Sequence, residues 1–127
     1  MEKAVIRTEN APAPFQGAPY NQAIRVGDLV FVAGQLGLKP GDSTIEGDIT
    51  AQTDQVLQNL TAILEEAGSS LANLVKTSVF LQDLGDFAAM NDVYARYVGD
   101  RPPARSTFEV SRLPSGALVE IEAVAHV

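Results

Sequence analysis

A chain of 127 residues, 46 % hydrophobic and 20 % charged, can fill one buried core but is too short for two. Its 16 acidic and 9 basic residues leave a net charge of −7, which argues against the Lys- and Arg-rich surface that nucleic-acid phosphates require; an anionic ligand must be small enough for a local basic pocket. With no cysteine and a single histidine, His126, the chain cannot form disulfides, thiolate nucleophiles, cysteine zinc sites or a histidine-based triad within itself.

No stretch combines a basic start with the apolar run of an export signal, and none approaches the roughly 20 apolar residues of a membrane span. A cytoplasmic location is therefore expected. His126, next to the C-terminus, reads as part of a frayed end. Asn59-Leu60-Thr61 has the form of a glycosylation sequon but reads as helix surface.

In chain order, Lys3 to Thr8 is a short strand, followed by a loop whose Pro12, Pro14, Gly17 and Pro19 restrict the backbone and can hold Tyr20 in a set place. Gln22 to Val26 alternates as a half-buried strand. Gly27-Asp28 turns the chain into Leu29–Ala33, which is apolar on both faces. Gly34 ends that run and offers a place for close approach by a ligand or backbone. Leu36 to Gly47, with three glycines and a proline, is a loop.

Asp48 or Thr50 can cap a helix reaching about Ala67, with Val56, Leu57, Leu60, Ile63 and Leu64 at helical spacing and Gly68 as its stop. Leu74 to Gln82 is the next strand. Asp83 to Asp86 turns it, and Asp86 can cap a second helix to about Val98, with Phe87, Met90, Tyr94 and Tyr97 near one side. A strand from Arg105 to Val110, a Pro/Gly turn around Pro114 to Gly116 and a strand from Leu118 to Ala123 read as a closing hairpin.

The order β-β-β-α-β-α-β-β describes a single α+β domain spanning residues 1–127, with two helices on one face of one mixed sheet. Two helices cover only one face. The other keeps apolar residues, so other copies of the chain are expected to bury it.

Pro103-Ala104-Arg105-Ser106, then Arg112-Leu113-Pro114 and Val119-Glu120-Ile121-Glu122-Ala123, strongly resemble the signature of the RidA family, also called YjgF or UK114. Thr8-Glu9-Asn10-Ala11-Pro12, Gly17-Ala18-Pro19-Tyr20, Gly34-Gln35 and Asp86-Phe87-Ala88 leading to Asn91 and Tyr94 extend the resemblance over essentially the whole chain. It implies a chorismate-mutase-like fold, a homotrimer with clefts between subunits, and hydrolysis of 2-iminobutanoate and 2-iminopropanoate to 2-oxo acids and ammonia. Carried over by residue, it implies that Arg105 binds the substrate carboxylate, that Glu120 activates water, and that Tyr20, Asn91 and Gly34 line the cleft. Two positions depart from the best-studied deaminases. Ala33 stands where they commonly have serine and Thr107 where they commonly have cysteine. Ala33 removes a possible hydrogen bond, whereas Thr107 can still offer its backbone amide.

The residue types suit that chemistry. A guanidinium pairs bidentately with a carboxylate and stays charged. A glutamate in an apolar strand has its pKa raised toward the range where it can take and return a proton. An imine is already electrophilic, so neither metal nor cofactor is expected.

Other roles fit the same residues. Arg105 can pair structurally with Glu122 or Glu109, Tyr20 and Asn91 can be surface or capping residues, and the Arg105 cleft can hold a small carboxylate without turnover. A ribonuclease or translation inhibitor is the third reading, against which the acidic balance speaks. In the expected hairpin, Arg105 lies opposite Val124 and Glu109 opposite Glu120. Arg105 and Glu120 are then about 13 Å apart at ~3.3 Å per residue, so a bulge or a second subunit must complete the site.

Overall fold

Alternation at Val119, Ile121, Ala123 and Ala125 turns four apolar side chains to one side of a strand, and all four are buried. A computed structural model describes the whole chain, Met1–Val127. That strand, β6 (Val119–His126), is central in a six-stranded sheet with β1 (Lys3–Ile6), β2 (Ala23–Val26), β3 (Leu29–Leu36), β4 (Leu74–Leu81) and β5 (Ala104–Glu109). The spatial order is β1-β2-β3-β6-β4-β5. All neighbouring pairs are antiparallel except β4 and β5, which are parallel.

Helix α1 (Ile49–Glu66) carries Val56, Leu57, Leu60, Ile63 and Leu64 at the spacing that forms one apolar stripe, and all are fully buried. Asp48 caps its start by accepting the Ala51 N–H at 3.0 Å. Helix α2 (Phe87–Val98) buries Met90, Val93 and Tyr94. Both helices share one core with the inward residues of β3, β4 and β6, so the mixed α+β sheet is covered on one face, as expected. The opposite face carries half-exposed Phe31 and Phe108. No helix is long and apolar enough to cross a membrane.

The expected closing hairpin does not form. After β4 the chain crosses through α2 and returns parallel to β4, so β5 takes the outer edge, where Pro102 and Pro103 remove no ladder donor. β6 then enters the slot between β3 and β4, pairing both. The connection between β5 and β6 is no tight turn: Gln82, at the end of β4, accepts the Leu113 N–H at 2.9 Å and donates to the Ser111 carbonyl. Thr77, not Val124, lies opposite Arg105, and Phe80 and Leu36, not Glu109, lie opposite Glu120.

Three smaller expectations also change. β3 does not stop at Gly34 but continues to Leu36 through a register shift between Val32 and Gln35. His126 is not frayed: it pairs with Leu29, and its carbonyl accepts from Ser69 Oγ at 2.6 Å. Asn59 is not on the surface; it is fully buried and donates to the carbonyls of Leu36 and Leu38 at 3.1 and 2.9 Å, tying the end of β3 to α1. Asn59→Leu removes both of these hydrogen bonds, one of them buried, and should lower unfolding free energy by about 2 kcal/mol, read from the urea midpoint at fixed protein concentration.

Candidate functional site

The register shift in β3 brings Gly34 under Glu120. A Cβ on Gly34 would overlap Glu120 Oε2 and lie 2.9 Å from its Cδ, so only glycine lets this carboxyl rest on the backbone. The shifted segment is tied down on both sides: the Ala33 N–H donates to the Gln22 carbonyl at 2.9 Å, and Gln35 Nε2 donates to the Ala33 carbonyl at 3.1 Å. Ala33 is thus fixed by its backbone next to Gly34, and its methyl group offers no hydrogen-bond donor.

Glu120 and Glu122 point out of the uncovered face, paired with Phe80 and Ser78. Burial pushes the Glu120 carboxyl above the ordinary glutamate range, and the neighbouring Glu122 charge pushes it further. Glu120, Gly34 and Tyr20 line a cavity of about 90 Å³ whose remaining wall includes Phe15, Leu36 and Pro114. The Tyr20 hydroxyl accepts the Phe15 N–H, which fixes the ring and leaves the phenol proton free to be donated elsewhere. Gln22, 4 % exposed, accepts the Thr8 N–H at 2.7 Å and donates to the Thr8 and Pro12 carbonyls at 3.0 and 2.8 Å, anchoring the proline loop that carries this tyrosine.

Arg105, Asn91 and Thr107 form a second group. Arg105 is opposite Thr77 in the parallel ladder, and Thr77 is buried on the helix-covered side against Tyr94. Thr107, two residues on and opposite buried Val79, has the same sense. The guanidinium lies over the rings of Tyr94 and Phe87, and Asn91 Oδ1 is buried with no partner. That orphan acceptor must find its donor outside the chain's own bonds. The structural pairings considered for Arg105 are not made: Glu109 accepts the Leu84 N–H at 2.9 Å, and Glu122 lies on the other face.

The sheet therefore separates the site residues into two groups. Glu120, Gly34 and Tyr20 line one cavity on its uncovered side, whereas Arg105 lies at the β5 edge under α2, with Thr107 two residues along the same strand and Asn91 on α2 between Phe87 and Tyr94. Two strand spacings, about 10 Å, separate β5 from β6, and the two side chains leave the sheet in opposite directions. No single-chain pocket holds both.

The Endoribonuclease L-PSP family model matches residues 8–127, and a RutC family protein of Pyrococcus abyssi is 54 % identical over 127 residues, covering 99 % of this chain and 98 % of that protein. The chain belongs to the RidA family. Another relative, the chloroplastic Reactive Intermediate Deaminase A of Arabidopsis thaliana, is 43 % identical over 126 residues, 98 % of this chain and 66 % of that protein. The crystal structure of E. coli TdcF with bound serine matches with a TM-score of 0.90 at 36 % identity, covering 98 % of each chain.

In this RidA-family chain, the residues that sequence reasoning passed over are the amides that hold the site: Gln22 and Gln35 around the β3 shift, and Gln52, which accepts the Leu118 N–H at 2.9 Å just before β6. Their signal was weak, a glutamine at an inward strand or helix position. The raised Glu120 pKa predicts a pH effect of definite sign. Below the ordinary glutamate range the side chain is neutral in folded and unfolded chains. As pH rises through the interval between the unfolded and the higher folded pKa, the unfolded chain releases its proton first and stability falls. Glu120→Gln should therefore gain stability relative to the parent between about pH 3, below the ordinary glutamate range, and about pH 7, measured by urea midpoints; a difference independent of pH refutes the raised carboxyl.

Proposed function

We propose that this RidA-family protein hydrolyses small 2-imino acids, 2-iminobutanoate and 2-iminopropanoate among them, to 2-oxo acids and ammonia, in clefts completed by two copies of the chain within a homotrimer. The observation that carries this reading is the pairing of an arginine fork without a carboxylate partner at the sheet edge with a half-buried glutamate, its carboxyl pushed above the ordinary glutamate range, in a small cavity on the other face. The half-exposed Phe31 and Phe108 of the uncovered face favour assembly, because apolar surface of this kind is removed from water when copies associate. The relative named a deaminase and the relative holding serine, a small amino acid with a carboxylate, both support the substrate class.

The reaction needs no group beyond the side chains. Arg105 of one copy grips the carboxylate bidentately, with Thr107 offering its backbone amide beside it. Asn91 Oδ1 accepts a hydrogen bond from the substrate nitrogen. Glu120 of the neighbouring copy takes a proton from water as its oxygen attacks the C=N carbon, forming a tetrahedral carbinolamine, and then returns that proton to nitrogen. Glu120 then takes the proton of the new hydroxyl and passes it to the amino nitrogen as the C–N bond breaks, so ammonia leaves and the hydroxyl carbon becomes the ketone. Tyr20 donates its free phenol proton to the oxygen in the cavity, and Gly34 leaves the carboxyl room to approach. An enamine enters by the same route after protonation on carbon to its imine tautomer.

A binding role without turnover is the second reading, and Ala33 is what favours it, since its methyl group supplies no hydroxyl at the position before Gly34. RNA cleavage has less support, because 16 acidic and 9 basic side chains give phosphates little to bind. The two main readings separate in one assay: 2-iminobutanoate generated in place by a pyridoxal-phosphate dehydratase, with 2-oxobutanoate followed over its spontaneous formation. The parent chain should accelerate the reaction. Arg105→Ala should lose at least ~100-fold in kcat/KM, about 2.7 kcal/mol of transition-state stabilisation, and Glu120→Gln a similar factor mainly in kcat. Tight 2-oxobutanoate binding without acceleration makes the protein a binder.

A further inference from the structure

Helix α2 presents Phe87, Asn91 and Tyr94 along one stripe, and Arg105 of β5 lies beneath that stripe. The Arg105 Cζ is 4.8 Å from the Tyr94 ring centroid and 5.5 Å from that of Phe87. Tyr94 is itself fixed: it is buried, and its phenol oxygen lies 2.6 Å from Oγ1 of fully buried Thr77. Thr77 is the β4 residue opposite Arg105. Strand, helix and edge strand thus form a closed circuit in which the ring that meets the guanidinium is anchored to the strand residue beside it.

We propose that the Tyr94 and Phe87 rings, anchored through Thr77, are a positioning platform that sets the plane and direction of the Arg105 guanidinium for carboxylate capture. The proposal rests on the reading of Arg105 as the carboxylate anchor. A ring face attracts a guanidinium without occupying its in-plane N–H groups, whereas an ion-pair partner consumes them. The platform therefore orients the fork, the Tyr94 hydroxyl also engaging one of its N–H groups, while leaving the remaining donors available. Arginine side chains lose much rotamer freedom when ordered, and ordering before the ligand arrives shifts that loss from binding to folding. Tyr94 and Phe87 touch the arginine rather than the reacting atoms, so their effect should fall on substrate affinity and not on the chemical step. Lysine lacks the planar fork and cannot use the rings in the same way.

The test uses the full chain in its native assembly, with kcat and KM for 2-iminobutanoate and the dissociation constant for 2-oxobutanoate measured on Tyr94→Leu, Tyr94→Phe, Phe87→Leu and Arg105→Ala. Tyr94→Leu should raise KM and the dissociation constant about tenfold while changing kcat less than about twofold, Phe87→Leu should raise both by about threefold, and Tyr94→Phe, which keeps the ring, should restore most of the affinity. Adding Tyr94→Leu to Arg105→Ala should cause no further loss of affinity, because the ring acts only through the arginine. Phe87 is 42 % exposed, so Phe87→Leu tests the platform even if Tyr94→Leu fails to fold. Native affinity in Phe87→Leu and in any folded Tyr94→Leu, beside a large loss in Arg105→Ala, overturns the platform and leaves the proposed function standing. Native affinity in Arg105→Ala overturns the reading of the anchor itself and the platform with it.

Discussion

Everything about the site follows from β6 lying between β3 and β4. A strand paired on both edges has no freedom of register, and its alternation assigns each side chain irrevocably to one face. Because Val119, Ile121, Ala123 and Ala125 must face the helices, Glu120 and Glu122 must face away from them. Because β6 fills the slot beside β4, β5 is left with only one neighbour, so Arg105 stands at the edge of the sheet. Two chemically matched groups are thereby held rigidly and apart within one chain.

The carboxyl half of the site is maintained against its own electrostatics. Burial and the Glu122 charge both disfavour ionised Glu120, and nothing in the chain neutralises it. The Gly34 approach keeps the carboxyl against the sheet, while Gln22 and Gln35 hold the irregular backbone that makes the approach possible. Such a group costs stability at neutral pH and is suited to taking up and giving back a proton. The arginine half shows the complementary arrangement, a permanent charge resting on two π faces with no carboxylate beside it. Membership of the RidA family and the proposed imine hydrolysis fit these two environments together, one holding an anion and the other cycling a proton.

The local elements were legible in the residues because their causes are local. The 3.6-residue spacing and the caps located α1 to within a residue or two of Ile49–Glu66, and alternation located most strands. The same patterning identified the uncovered apolar face, and the resemblance of Pro103 to Ser106 and of Val119 to Ala123 to a known signature placed the chain in its family. Sequence neighbours were a poor guide to pairing. β5 and β6 look like a hairpin because a Pro/Gly segment joins them, yet each bonds to β4, whose residues are far along the chain.

The residues by themselves determined which segments become helix or strand, that one sheet face would stay bare, and that Arg105 and Glu120 were the chemically exceptional members of their strands. Only the tertiary structure decided that these two leave opposite sides of the sheet, that Gly34 lies under the carboxyl, that Asn59 is interior and that two rings brace the guanidinium. The division has a physical cause: periodicity and capping energies are set within a few residues, whereas strand order, register shifts and buried amide bonds depend on which distant backbones find each other in the collapsed chain.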